Sequence, residues 1–447
     1  MNKKDIKVCI IGLGYVGLTL AVTLAKKGIL VYGVETDNNI IKKLKKNKVH
    51  FFEPNIEKYI QSVFKNKKFF TSNKIQKNNY DYFIITVGTP LNSLNKINIE
   101  NIKKATKSIS SYLSNDSTVI LRSTVSIGTT ENIVMPLLDK SNKKYNIAFC
   151  PERTMEGVAM KELTKLPQII GSLDNKSFQK SKKLFSILTK KIIRVNSIKA
   201  AEMIKLVDNS QRDLYFAFSN EVSMACDAMG INSHEVIKKG KINYPRTNLY
   251  KPGPVGGPCL EKDPYILSNV SQSYGYEMKI IKSGRKTNIQ LFEHMIKYVS
   301  SYYKNLKLIP EKISIIGTAF KGHPETDDLR GTTLIMLLNS LIKHFPKKSI
   351  NCFDFIAKEK TNIFLKENFS KNNNIFNANK IENIFKNADL VIIHNNNKKI
   401  YNLDFYNLLK YSKKNLLIYD FWNMFDQSFF NKINRNITYK SLGGHVE

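Results

Sequence analysis

One cysteine stands apart in this chain by its surroundings. The stretch Pro252-Gly253-Pro254-Val255-Gly256-Gly257-Pro258-Cys259-Leu260-Glu261-Lys262-Asp263-Pro264-Tyr265 gathers three glycines and four prolines around Cys259. That composition predicts a fixed, non-helical backbone, whereas a core cysteine more often lies inside a helix or strand. Lys262 and Asp263 follow closely. Positive charge and exposed amides lower a thiol pKa, so the chemistry expected of Cys259 is nucleophilic and covalent.

A second cluster could hold phosphate. Gly12-Leu13-Gly14-Tyr15-Val16-Gly17 is a GxGxxG between an apolar run at 6–11 and a helical pattern at 18–27 closed by Gly28. A further strand pattern at 29–34 ends in Glu35. Gly12 suits a tight turn, Gly14 lets backbone approach a pyrophosphate at the helix N-terminus, and Gly17 permits close packing. An acid at the end of the second strand binds ribose hydroxyls and repels a 2′-phosphate, so the expected cofactor is NAD rather than NADP. The basic start, Met1 to Lys7, and the apolar run from Val8 to Ala25 also resemble a signal peptide. Three glycines interrupt that run and the second strand follows, which favours the nucleotide loop.

These groups need a scaffold. Strand patterns at 81–87, 118–122 and 146–149 end at Gly88-Thr89-Pro90, Ser123-Thr124 and Cys150-Pro151-Glu152. In a doubly wound sheet ligands bind at the carboxyl ends of parallel strands, so Thr89, Thr124 and Glu152 are expected at one edge, beside a nicotinamide. Each alone would pass for a turn residue. From Lys199 to Gly230 a helical pattern runs without proline or internal glycine, and Lys205 and Asn209, four apart, share a face. Strand patterns at 312–317, 350–354, 389–393 and 415–420, with a helix from about 330 to 343, make a second α/β pattern with one glycine where the first has three. His394, alone at a strand end, is given no role. The expected fold is α/β: two Rossmann-like doubly wound domains joined by a long central helix and a helical middle domain, with boundaries at 1–198, 199–300 and 301–447.

Composition narrows the class. The 447 residues exceed one compact core, and 42% hydrophobic with 24% charged residues is a globular balance. The net charge of +33 comes from 70 Lys and Arg against 37 Asp and Glu. The lysines are spread along the chain among Asn and Ile, with no aromatic-interleaved basic motif, so nucleic acid is not an expected partner. The excess favours an anionic small molecule through long-range steering. Cysteines at 9, 150, 226, 259 and 352 form no CxxC. An odd number argues against a disulfide framework or a structural zinc and suits a reducing compartment. No metal and no membrane attachment are expected, and the expected location is the cytoplasm.

Taken in order, the motifs spell a family. GLGYVGL at 12–18, TP at 89–90, STVSIGTT at 123–130, PERTMEG at 151–157, AEMIKLVDN at 201–209, GGPCLEKDPY at 256–265 and GTAFKGHPETDDLR at 317–330 resemble the UDP-glucose/GDP-mannose dehydrogenase family of nucleotide-sugar 6-dehydrogenases over nearly the whole length. The resemblance implies Cys259 as catalytic thiol, Lys205 polarising the C6 oxygen, and Asp263, Asn209, Thr124 and Glu152 around the reacting carbon or its water. It implies NAD contacts from Gly12, Gly14, Tyr15, Val16, Gly17, Glu35, Thr89, Thr124, Glu156, Lys262 and Arg330. Substrate contacts are implied for Glu152, Lys205, Asn209, Arg246, Tyr250, Gly256 and Lys321. Glu35 replaces the more usual Asp, Gly88 a frequent Pro, and Pro258 and Glu261 flank the cysteine differently from the commonest versions, which bears on substrate choice.

The implied reaction is a four-electron oxidation of the C6 alcohol of a UDP-sugar to the uronic acid through a thiohemiacetal and a thioester on Cys259, for surface polysaccharide precursors. Tyr244-Pro245-Arg246-Thr247-Asn248-Leu249 resembles the branch acting on UDP-N-acetylhexosamines, such as UDP-N-acetylmannosamine or UDP-N-acetylglucosamine, with UDP-glucose as the alternative. Arg246 would then reach substrate from a neighbouring subunit of a homodimer, or higher homo-oligomer, built on the long helix. Single-step β-hydroxyacid dehydrogenases also pair a Rossmann domain with a long helix and a lysine, but they need neither residues 252–265 nor residues 312–420. A basic binding protein without catalysis would be expected to lack part of the motif set, and none of it is missing.

Overall fold

A computed structural model describes residues 6–433 and 437–444. The chain divides into two compact units, residues 1–209 with 265–277 and residues 210–264 with 278–447.

The first unit is built on eight strands: β1 (Lys7–Ile11), β2 (Leu30–Val34), β3 (Phe69–Ser72), β4 (Tyr82–Ile85), β5 (Thr118–Leu121), β6 (Asn146–Phe149), β7 (Gln168–Ser172) and β8 (Ile192–Val195). Their order is β3-β2-β1-β4-β5-β6-β7-β8. All neighbours are parallel except β6 and β7. The central strands β1, β4, β5 and β6 are apolar apart from the polar first residues Lys7, Thr118 and Asn146, because helices cover both faces. Val8, Ile10, Ile84 and Ile120 enter one core, while Cys9, Ile11, Phe83, Ile85 and Leu121 enter the other. The order reverses between β1 and β4, which makes their carboxyl ends the expected crevice.

The second unit carries a smaller sheet of β9 (Lys312–Ile316), β10 (Ser349–Phe353), β11 (Ile375–Asn377), β12 (Leu390–Ile393), β13 (Leu416–Asp420) and β14 (Ile437–Ser441). Its order is β11-β10-β9-β12-β13-β14, parallel throughout, with the reversal between β9 and β12. The helix Lys279–Asn305 buries Leu291, Phe292, Met295, Ile296 and Val299 in the same core as Leu334, Leu337, Leu338 and Leu341 of the helix Leu334–His344.

The long helix runs Ile198–Met229, one residue from its expected start and end. Two expectations are corrected. The glycine-loop helix begins at Tyr15, so Gly17 lies inside it. The cysteine segment is not wholly non-helical: Gly257–Leu260 forms one helical turn with Pro258 in its first positions, and Asp263 opens the helix Asp263–Ser273. Proline is tolerated there because the N–H it lacks has no intrahelical partner. Among the described residues no helix is long and apolar enough to cross a membrane.

Candidate active site

In the first unit the glycine loop is shaped for a phosphate. Gly12 has φ +93°, and a methyl group on Gly17 would lie 1.9 Å from the Gly12 carbonyl oxygen. A methyl on Gly14 would meet nothing within 4 Å, so open space lies at the helix N-terminus. Thr86, at the end of β4, fixes this turn by donating to the carbonyls of Ile11 (3.0 Å) and Gly12 (2.7 Å). Glu35 accepts from the amides of Leu13 (2.9 Å) and Asp37 (3.1 Å), which sets its carboxylate beside the loop at the end of β2. These features fit NAD: a bare helix N-terminus for the pyrophosphate and an acid for the ribose. Val16 is half-exposed, but the Tyr15 side chain turns inward. Its hydroxyl donates to Glu53, and the Gly157 amide donates to both the Tyr15 oxygen (3.0 Å) and Glu53 (2.8 Å). Burial, then Glu53, raises the Tyr15 pKa, so the phenol stays protonated. The half-buried Glu156 precedes Gly157 in this turn.

The strand ends β4, β5 and β6 bring the next group together. Thr89 donates to the carbonyl of Thr124 at 2.7 Å. Glu152 follows β6 and is buried. Its carboxylate receives Arg122 Nε (3.0 Å) and Nη2 (2.6 Å) on one oxygen, and the amides of Arg153 (2.8 Å) and Thr154 (2.7 Å) on the other. Burial alone would raise its pKa, but Arg122, Thr154 and Lys205 hold it below the usual range, so Glu152 is an anion. The buried ammonium of Lys205 donates to the main-chain carbonyl of Glu152 at 2.5 Å. Asn209 is buried one turn further on, while Met203 and Val207 on other faces of the helix are exposed. One turn earlier, the buried Glu202 receives the amides of Gly128 (2.5 Å) and Thr130 (3.0 Å).

In the second unit the cysteine segment is clamped by backbone that no side chain would fit. Asn220 accepts from the Gly253 amide (2.8 Å) and donates to its carbonyl (3.1 Å). A methyl on Gly253 would lie 2.9 Å from the Trp422 ring, and one on Gly257 2.5 Å from Phe320. The Gly257 amide donates to the Gly331 carbonyl at 2.7 Å. A methyl on Gly256 would stand 2.4 Å from that same oxygen and 3.0 Å from Thr333 Cγ2. Cys259 projects from this turn and is exposed, whereas Cys9, Cys150, Cys226 and Cys352 are buried. Burial pushes the thiols of Cys9, Cys150 and Cys352 up to about 12, which leaves them inert. Asp263 is fully buried, with Lys262 Nζ 3.9 Å from its carboxylate.

The remaining expected residues of this unit occupy two regions. The Lys321 ammonium lies 5.5 Å from the centre of the Phe320 ring, against which Gly257 packs. Arg330 is exposed and folds back on Asp328, with Nη2 at 2.5 Å. Arg246 is exposed, 3.2 Å from the Tyr244 hydroxyl, and Tyr250 packs edge-on to Tyr215 and Phe216 of the long helix. Among the described residues no group of three His, Cys, Asp or Glu could hold a metal ion.

Three domain models of the UDP-glucose/GDP-mannose dehydrogenase family match the chain: the NAD binding domain over residues 6–189, the central domain over 199–290 and the UDP binding domain over 314–427. The chain belongs to this family. It is an NAD-dependent UDP-sugar dehydrogenase, an oxidoreductase. A UDP-N-acetyl-D-mannosamine dehydrogenase of Campylobacter jejuni is 34% identical over 337 residues, 72% of this chain and 80% of that protein. One from Methanocaldococcus jannaschii is 29% identical over 95% of this chain and 94% of its own. Among solved structures, the UDP-D-ManNAc dehydrogenase of Pyrococcus horikoshii matches with a TM-score of 0.84 at 25% identity, covering 98% of this chain and 99% of that one.

Several groups that shape this dehydrogenase's site escape sequence reading. Arg122 and Thr86 lie near motif residues and Glu202 lies within one, yet only the fold shows which backbone atoms they hold. Asn220, Thr333 and Trp422 are far in sequence from Cys259 and meet its segment through close backbone approaches. The one available signal was the strand-end position of Arg122, directly before Ser123-Thr124.

Proposed function

We propose that this enzyme oxidises the C6 alcohol of UDP-N-acetyl-D-mannosamine to the uronic acid in two NAD-dependent steps, with Cys259 as covalent nucleophile. The observation that carries the two-step chemistry is the exposure of Cys259 alone among five cysteines, on a turn clamped by Gly256 and Gly257. The names of the relatives and the run Tyr244–Leu249 support the sugar.

NAD⁺, when bound, accepts one hydride from C6 in each oxidation. Gly12, Gly14, Val16, Gly17 and the Tyr15 backbone would hold its pyrophosphate and Glu35 its ribose. Thr89, Thr124, Glu156, Lys262 and Arg330 complete the proposed contacts. Lys205, held by the Glu152 carbonyl, stabilises negative charge on the C6 oxygen as its proton leaves to Asp263 or a water. The Cys259 thiolate then adds to the aldehyde carbon, and the thiohemiacetal still carries one hydrogen on C6. Loss of that hydrogen as hydride leaves a thioester. Water adds to the thioester, the C–S bond breaks, and acid and thiol are released. Thr124, Asn209 and Asp263 order that water. Glu152, whose four acceptor positions are filled, contributes a fixed negative charge. Arg246, Tyr250, Gly256 and Lys321 are proposed substrate contacts.

A homodimer is proposed, built on apolar surface of the second unit: Phe218 is 57% exposed, Met229 62%, Ile242 62% and Ile280 73%. The cytoplasm, where thiols stay reduced, is the proposed location. The test of the sugar is kcat/KM on a panel of UDP-sugars. The proposal expects UDP-N-acetylmannosamine to exceed UDP-N-acetylglucosamine and UDP-glucose by about tenfold or more; a preference for UDP-glucose would overturn it.

A further inference from the structure

His394 directly follows β12, beside the reversal point of the second sheet, and is 1% exposed. Its Nδ1 lies 2.7 Å from the Gly317 carbonyl at the end of β9, and its Nε2 lies 2.8 Å from the Thr333 hydroxyl. A carbonyl only accepts, so Nδ1 carries the proton and Nε2 accepts from Thr333. The main-chain carbonyl of His394 receives the Trp422 indole N–H at 2.9 Å. Both residues it holds, Thr333 and Trp422, are those the cysteine segment leans on: Gly256 against Thr333 and Gly253 against Trp422. Burial pushes the His394 pKa down to about 4, opposed by the Gly317 carbonyl and Asp354, so the ring is neutral near pH 7 and keeps this tautomer.

We propose that His394 is a positioning residue for Cys259: its imidazole pins Thr333, its main-chain carbonyl receives the Trp422 indole, and through Thr333 it fixes the Gly256 backbone of the cysteine turn. It makes no contact with the reacting atoms in this role. A substituent that cannot accept from Thr333 leaves that hydroxyl buried without its partner and lets the Gly331–Thr333 backbone shift under Gly256. Thiol geometry then degrades, while the glycine loop and Glu35 of the first unit, proposed to hold the pyrophosphate and ribose, are untouched. The inference rests on Cys259 being the nucleophile.

The experiment is a double-mutant cycle of His394→Leu and Thr333→Val, reading kcat, KM for NAD⁺, the rate of Cys259 alkylation by iodoacetamide, and thermal midpoint. Each single variant is expected to lower kcat about tenfold and to change the alkylation rate about fivefold, with a smaller effect on KM for NAD⁺ than on kcat. The double variant should lose no more than the worse single variant. His394→Gln, which can accept from Thr333, should recover part of kcat. Multiplying losses, or a lowered midpoint with kcat and alkylation unchanged, would overturn the inference. Should His394→Leu fail to fold, Thr333→Val with His394→Gln decides by the same readouts. A Cys259→Ser variant making acid at the wild-type rate would instead sink the nucleophile assignment itself, so the two failures are distinguishable.

Discussion

At the scale of the residue, the chemistry rests on how differently identical side chains are treated. Four cysteines sit in the cores and one projects. Burial raises a thiol pKa because it removes water from the thiolate, which disfavours the four buried thiols as nucleophiles and leaves Cys259 the exposed one. Cys259→Ser should therefore leave NAD⁺ binding intact and stall after the first oxidation, with uronate formation down by about a thousandfold or more. Quenched-flow analysis of product is the check: aldehyde-level product in stoichiometric amounts is expected, and uronate at the wild-type rate is not. Lys205 shows the complementary treatment. Its charge is buried but satisfied by a carbonyl, with the Glu152 anion behind it and Arg122 behind that. Removing Arg122 would strip the buried carboxylate of its directly paired counter-charge, leaving only Lys205 nearby, a loss of the order of 3–5 kcal/mol.

At the scale of the element, the glycines decide which backbones can approach. Gly257→Ala would place a methyl 2.5 Å from the Phe320 ring at φ +93°, a conformation costing a non-glycine residue about 1–2 kcal/mol before any clash. The expected outcome is a fall in kcat of about a hundredfold with NADH affinity unchanged by fluorescence titration. Element types were largely legible. β1, β2, β4 to β6 and the helix Ile198–Met229 follow from apolar runs, glycine punctuation and 3.6-residue periodicity. The sequence pattern does not mark the helix Lys279–Asn305, nor β3, β7 and β8, whose runs are short or broken by polar residues. The cysteine turn departs from the non-helical expectation because Pro258, though proline and glycine usually exclude a helix, fits its first positions. Among the proposed site residues, spacing alone places Lys205 with Asn209 on one helix face and Thr89 with Thr124 at neighbouring strand ends, and the structure agrees; their roles are implied by the family resemblance. The clamps Asn220, Thr333, Trp422 and His394 were not legible, because a contact between distant strand ends leaves no periodic trace.

At the scale of the whole molecule, buried neutral histidines tie stability to pH. Burial lowers His394 and His234 to about 4. Between that value and about 6.5 the unfolded chain binds more protons than the folded one, so stability is full above about pH 6.5 and falls as pH drops toward 4. The fully buried His394 alone accounts for about 3 kcal/mol across that window. Thermal midpoints should be flat from pH 7 to 8 and decline from 6.5 to 4, with a shallower decline in His394→Gln. Two sheets with separate cores give the chain two reversal crevices, one shaped by Gly12 and Gly17 for a dinucleotide, the other flanked by a clamped cysteine turn. Loops of the second sheet's unit supply the groups that clamp the Cys259 turn: the Gly331 carbonyl, Thr333 and Trp422.

The central claim is that this thiol carries the substrate through two oxidations. The direct measurement is NADH formed per mole of UDP-N-acetylmannosamine consumed, with the product identified. Two NADH and the uronic acid, with no aldehyde released, is the predicted result. One NADH with free aldehyde as the product would contradict it.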